Sequence, residues 1–262
     1  MNLTLTDKTA IVCGSTQGIG RATAIELASM GANVTLMARH ETALQQTLQL
    51  LDTAQGQTHR YIVADFTKSS EVKGAIEDYL AQYPNVHILV NNTGGPAGGP
   101  IIEAKAEQFL QTFEMHLLNN QILAQALVPS MKAVGFGRIV NIISTSVKEP
   151  IVGLGVSNTV RWAVASWAKT LAREIGKFGI TVNNVLPGYT KTGRLAAVNQ
   201  MRAQNTGQTV EAVERELLTG IPIGRFAEAE EVAAAVAFLC SPAAGAITGI
   251  NLPVDGGKTG SL

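Results

Sequence analysis

The chain has 262 residues, 46% of them hydrophobic and 15% charged, with 20 Lys plus Arg against 20 Asp plus Glu. That length suits a single well-buried α/β domain over residues 1–262, and the hydrophobic content excludes a disordered chain. Balanced charge leaves no global field to draw nucleic acid or an anionic membrane, so a small molecule is the expected partner. The first residues, MNLTLTDKTA, carry neither a basic nor an apolar signal region, and no apolar run nears the ~18 residues of a bilayer span. A cytoplasmic location is expected. Cys13 and Cys240 share no metal-ligand or redox spacing and read as reduced core thiols, and no metal site is expected.

Along the chain, short apolar runs recur at Thr9–Cys13, Asn33–Ala38, His59–Ala64, Val86–Asn91, Arg138–Ile143, Thr181–Leu186 and Ile250–Val254. Near-continuous Val, Ile and Leu in these runs suits parallel strands covered on both faces. Between them, Arg21–Met30, Glu71–Gln82, Ala104–Ala126 and Ser157–Lys177 place apolar residues at helical spacing, with Pro129 and Gly179 as expected helix exits. The alternation predicts a doubly wound, Rossmann-type sheet of seven parallel strands with helices on both faces. Residues 192–220, polar and rich in Gln, Asn and Thr, show the least pattern and are the candidate substrate region, read either as an active-site lid or as a surface loop.

The first strand runs into Gly14-Ser15-Thr16-Gln17-Gly18-Ile19-Gly20 and then a helix. Glycines there allow a tight turn, close backbone approach to a pyrophosphate, and phosphate binding at the unpaired N–H groups of a helix N-terminus. The second strand ends in Met37-Ala38-Arg39-His40, without the acidic residue that would hold the ribose 2′-hydroxyl of NAD. Arg39 can instead grip a 2′-phosphate, which favours NADP (as NADPH) over NAD, unless it is a solvated surface residue. Asp65, after the third strand, either accepts from the adenine amino group or caps the next helix.

The glycine spacing, Asp65, Asn91-Asn92-Thr93-Gly94, Pro187-Gly188 and Val254-Asp255-Gly256-Gly257 together resemble the short-chain dehydrogenase/reductase family over essentially the whole chain. Gly137–Ile142, Leu171-Ala172-Arg173-Glu174 and Gly224-Arg225-Phe226 make it most similar to the 3-oxoacyl-acyl-carrier-protein reductases. The resemblance implies hydride exchange between a nicotinamide cofactor and a carbonyl, a ketone or acyl-thioester substrate, and a homo-oligomer, either tetramer or dimer. It also implies cofactor contacts at Gly14, Ser15, Thr16, Gln17, Ile19, Gly20, Arg39, Asp65, Phe66, Asn92, Gly94 and Thr190, with Thr93 replacing the usual Ala.

In that family a Ser orients the carbonyl, a Tyr gives the proton, a Lys assists the Tyr and holds the ribose, and an Asn supports a relay water. Ser144 matches the Ser, but the Tyr position holds Ser157, the Lys position Arg161 and the Asn position His116, with Asn119 and Asn120 a turn away. A serine hydroxyl is a far weaker acid than a phenol with pKa ≈ 10, and Arg161 stays charged, so it can anchor ribose or an alkoxide without relaying protons. His116 is therefore a candidate proton source through water, or else a packing residue; Tyr189 is another phenol, or else packs its loop. Trp162 and Trp167 are expected in core or subunit contacts, and Lys148-Glu149 at the pocket mouth. An NADPH-dependent reductase with an atypical proton donor is the leading expectation. Nucleotide binding without turnover, as a sensor or assembly subunit, and a lyase or dehydratase on the same fold are the alternatives.

Overall fold

The computed structural model describes residues 1–261. Seven strands, β1 (Thr9–Cys13), β2 (Asn33–Ala38), β3 (Arg60–Val63), β4 (Ile88–Asn91), β5 (Gly137–Ile142), β6 (Ile180–Pro187) and β7 (Asn251–Val254), form one sheet in the order β3-β2-β1-β4-β5-β6-β7. Every pairing is parallel. The strand order reverses beside β1, where β2 lies on one side and β4 on the other, and ligands of open α/β sheets bind at the strand ends around such a point.

Alternate residues of each strand feed two separate cores. Val12, Leu36, Val90, Val140 and Val185 pack with Leu27, Val232 and Val236 on one face. These last three come from α1 (Gly18–Ser29) and α9 (Ala229–Cys240). Ile11, Met37, Leu89, Ile139 and Val182 pack on the other face with Ile76, Leu123, Leu127 and Ala168. Those belong to α3 (Ser69–Gln82), α5 (Asn119–Val134) and α6 (Gly155–Ile175). Double coverage explains why the strands read as unbroken apolar runs. Cys13 and Cys240 are free and buried, and burial pushes both thiols up to about 12, which makes them inert core residues. Among the described residues, no helix is long and apolar enough to cross a membrane.

Three local expectations are corrected. Pro129 does not end its helix but lies inside α5, on the solvent-exposed side with Gln125, so the carbonyl it leaves without a donor faces water. The exit is Gly135, in the left-handed region at φ 65°. The long helical stretch begins as α4 (Ala106–Phe113) and joins α5 through a π-helical turn, Glu114–Leu118. Residues 192–220 are not a surface loop. They form α7 (Gly193–Thr206) and α8 (Val210–Thr219), whose caps Thr192 and Thr209 accept hydrogen bonds from Leu195 and Ala212.

Candidate active site

A cleft of about 630 Å³ opens along the C-terminal ends of the strands, from Arg39 and Asp65 at one end to Ser144, Ser157 and Arg161 at the other. Gly14 forms its floor in the left-handed region, φ 58°, and a Cβ there would come within 2.6 Å of the Asn92 carbonyl oxygen. At Gly20 an added Cβ would sit 2.2 Å from the Gly14 carbonyl oxygen, so α1 can lie this close to the turn only without a side chain. Asn92 Nδ2 ties the turn down by donating to the carbonyls of Cys13 and Gly14. No side chain caps the N-terminus of α1, so its free N–H groups meet the cleft.

Thr16, Gln17, Ile19, Arg39, Asp65, Phe66, Asn92, Gly94 and Thr190 all line this cleft. Ser15 and Gly20 do not. The Ser15 side chain turns inward and accepts from the Met37 backbone N–H, fixing the turn against β2, while Gly20 serves helix packing. Asp65 accepts from the Thr67 N–H, which is the largest cause holding its carboxyl below the usual range. It is not a helix cap, because α3 starts beyond Lys68. Half-buried, the carboxyl lines the cleft. Together the bare glycine turn, the uncapped helix end and Arg39 fit a nicotinamide dinucleotide.

At the other end, Ser144 lies two residues beyond the end of β5 and its Oγ accepts from the Ser146 N–H at 3.1 Å. With that lone pair occupied, the hydroxyl proton is left to donate into the cleft. Ser157 lies on the first turn of α6 and lines the cleft, its hydroxyl forming no hydrogen bond among the described residues. Arg161, one turn on, is buried and donates from Nη1 to the Ile142 carbonyl at 2.8 Å. Burial, and then the charge of Arg194, pushes it down to about 10, still charged at neutral pH.

His116 does not line the cleft. It is buried in the π-helical turn, with Nδ1 2.7 Å from Thr93 Oγ1 and Nε2 without a partner. Burial first, then the charge of Arg161, drives its pKa well below the ordinary 6.5. It is therefore neutral at physiological pH and does not titrate near neutrality as its type suggests. Tyr189 lines the cleft with its ring set edge-on to Phe226 and beneath Arg202. Trp162 is half exposed and donates to the Ser146 carbonyl, and Trp167 donates to Gln121 on the facing helix.

Sequence reasoning missed Arg194, Arg202 and Lys258, all on the cleft wall. The only signal was a cation at the first turn of an unrecognised helix. It also treated Thr93 and His116 as separate departures, although the structure bonds them to each other.

A family model described as enoyl-(acyl carrier protein) reductase matches residues 14–259. The 3-oxoacyl-[acyl-carrier-protein] reductase FabG of Haemophilus influenzae is 34% identical, over 95% of this chain and 97% of that one. L-sorbose reductase from Gluconobacter frateurii, solved with NADPH and L-sorbose, superposes with a TM-score of 0.93 at 30% identity, over the full length of both chains. An actinorhodin polyketide ketoreductase solved with NADPH superposes with a TM-score of 0.89 at 32% identity, over 97% of this chain and 98% of that one. The chain belongs to the short-chain dehydrogenase/reductase family of oxidoreductases and is most like its 3-oxoacyl-acyl-carrier-protein reductases.

Proposed function

We propose that the protein reduces a ketone or 3-oxoacyl group with NADPH, and that Ser144 and Arg161 together bear the charge that develops on the carbonyl oxygen. The observation that carries this reading is the pairing of a pre-aimed hydroxyl with a buried guanidinium at the catalytic end of the cleft. When bound, the cofactor supplies a hydride from its nicotinamide. Arg39, which stands at the end of β2 without an acidic residue adjacent in sequence, is suited to the 2′-phosphate and so to NADP over NAD. Gly14, Thr16, Gln17 and Ile19 offer the pyrophosphate bare backbone, and Asp65 can accept from the adenine amino group.

Ser144 donates to the carbonyl oxygen and fixes its position. Arg161 contributes a permanent positive charge in a dry setting, where a preorganised charge stabilises an oxyanion far better than in water. Neither residue gives up a proton easily, and neutral, buried His116 is not the acid. The proton that completes the alcohol comes from water entering the cleft, where the unpartnered Ser157 hydroxyl can hold it near the product oxygen. His116 acts indirectly, positioning Thr93 on the cleft wall. Exposed Leu110, Phe113, Leu118, Val152 and Trp162 offer apolar surface for a homo-oligomer.

The test is loss of absorbance at 340 nm with NADPH and a panel of ketones and 3-oxoacyl thioesters, repeated with Ser144→Ala. Removing one oxyanion donor should lower kcat by ~10²–10³ while leaving NADPH affinity intact. Unchanged turnover in that variant would overturn the assigned role.

A further inference from the structure

The cleft wall is cationic at its catalytic end. Arg161 is buried, Arg194 stands exposed on the same wall, and Arg202 and Lys258 are half-buried beside them. Among the described residues none of the four forms an ion pair with a carboxylate; the ion pairs present are Lys68–Glu71, Lys73–Glu77, Lys191–Glu228 and Arg225–Glu231. Arg161 is bonded to the Ile142 carbonyl and Arg194 Nη2 to the Pro96 carbonyl at 2.6 Å, so most of their ten N–H donors are unused. The one acidic side chain on this part of the wall, Glu149, accepts from the Gly260 N–H and is held by the C-terminal segment. The charges of both Arg161 and Arg194 act on His116, and Arg194 acts on Arg161, so the three groups converge with nothing anionic among them.

A buried guanidinium without a carboxylate, with a second cation acting on it from the same wall, is costly unless a ligand supplies the missing negative charge. Cofactor phosphates are not the natural source. The bare N-terminus of α1 and Arg39 provide for them elsewhere, whereas Arg161 stands one turn from Ser157 beside the carbonyl site. We infer that the substrate is an oxo acid whose free carboxylate seats between Arg161 and Arg194, next to the ketone held by Ser144. A planar carboxylate accepts paired N–H groups from a guanidinium fork, while a thioester is neutral at its reacting end and leaves both charges unpaired. This rests on the reductase reading above and narrows its substrate class.

The experiment measures binding separately from turnover. The full chain saturated with NADP⁺, which cannot reduce a ketone, is titrated calorimetrically with pyruvate, acetoacetate and levulinate and with the methyl ester of each; the same six compounds are then assayed with NADPH. At least one acid should bind ~10–100-fold more tightly than its ester, the factor a charge-assisted hydrogen-bonded pair provides. Arg194→Met should abolish that preference and retain NADPH affinity. Acids and esters binding alike throughout would overturn the inference, as would an Arg194→Met variant that weakens NADPH and keeps the preference. Selective acid binding without any oxidation of NADPH would sink the reductase reading alone, and turnover without acid preference would sink the carboxylate alone.

Discussion

Replacing Arg161 with Met should make the protein more stable and a poorer catalyst. In the folded chain the guanidinium falls from its ordinary 12.5 to about 10, through burial and the charge of Arg194. At about 1.36 kcal/mol per pKa unit, keeping Arg161 charged inside costs about 3 kcal/mol relative to the unfolded chain. The sign follows from the depressed value: the unfolded state holds the proton more tightly, so the cost is whole at neutral pH and is relieved only as pH rises through about 10. Against it stands the bond to the Ile142 carbonyl, whose loss costs about 1 kcal/mol. Met fills a similar length of apolar space without charge. The net gain is about 2 kcal/mol, or a rise in Tm of about 4–8 °C for a chain of this size. Thermal unfolding followed by circular dichroism, without nucleotide and between pH 7 and 9, measures it. The same variant should lose most NADPH oxidation. A Tm that falls by a comparable amount would refute the reasoning, since it would mean that the folded chain already compensates the charge.

Two further outcomes test other parts of the site. His116, with its pKa well below 6.5, should cost stability as pH falls below the unfolded value, because the unfolded state takes up the proton first; His116→Asn should flatten the decline in urea midpoint between pH 7.5 and 5, and a steeper decline would contradict the assignment. Arg39→Ala should weaken NADPH by ~10–100-fold and NADH hardly at all, measured by quench of Trp fluorescence; equal losses for the two would remove the 2′-phosphate from Arg39.

Those residues differ in how visible they were beforehand. The sheet was legible because each strand feeds two cores and so announces itself as an apolar run, and the nucleotide turn because bare glycines have no substitute at Gly14 and Gly20. The helices between 192 and 220 were not: α7 is polar and covers only Asn199 and Ala203, and α8, although it spaces Val210, Val213 and Leu217 as a helix does, is ten residues long and covers Val213 alone. Their capping threonines, Thr192 and Thr209, were the readable trace. Pro129 misled because local propensity was outweighed by packing: α5 buries Leu123, Leu127 and Met131 on either side of it, while Pro129 itself faces solvent. His116 misled for a different reason. Residue type suggests a titrating group, but burial and two neighbouring cations decide its protonation, and neither is a property of local sequence.

The departures from the family pattern make one arrangement. A phenol works as an acid there by sitting beside a cation that lowers its pKa and recaptures the proton. With Ser157 in its place that position holds no such acid, and on the proposed reading a cation at 161 has no neighbouring phenol to assist. Arg161 is instead committed to the Ile142 carbonyl, a fixed charge that lowers the energy of an oxyanion without moving a proton. Burial first, then that charge and Arg194's, keeps His116 neutral, and His116 bonds Thr93, which stands where the family has Ala. Stabilising the oxyanion first and protonating it afterwards from water demands less acidity of any one side chain but more fixed positive charge. On the proposed reading Arg161 supplies that charge, and the stability its burial costs the free enzyme would be recovered when the proposed anionic substrate occupies the cleft.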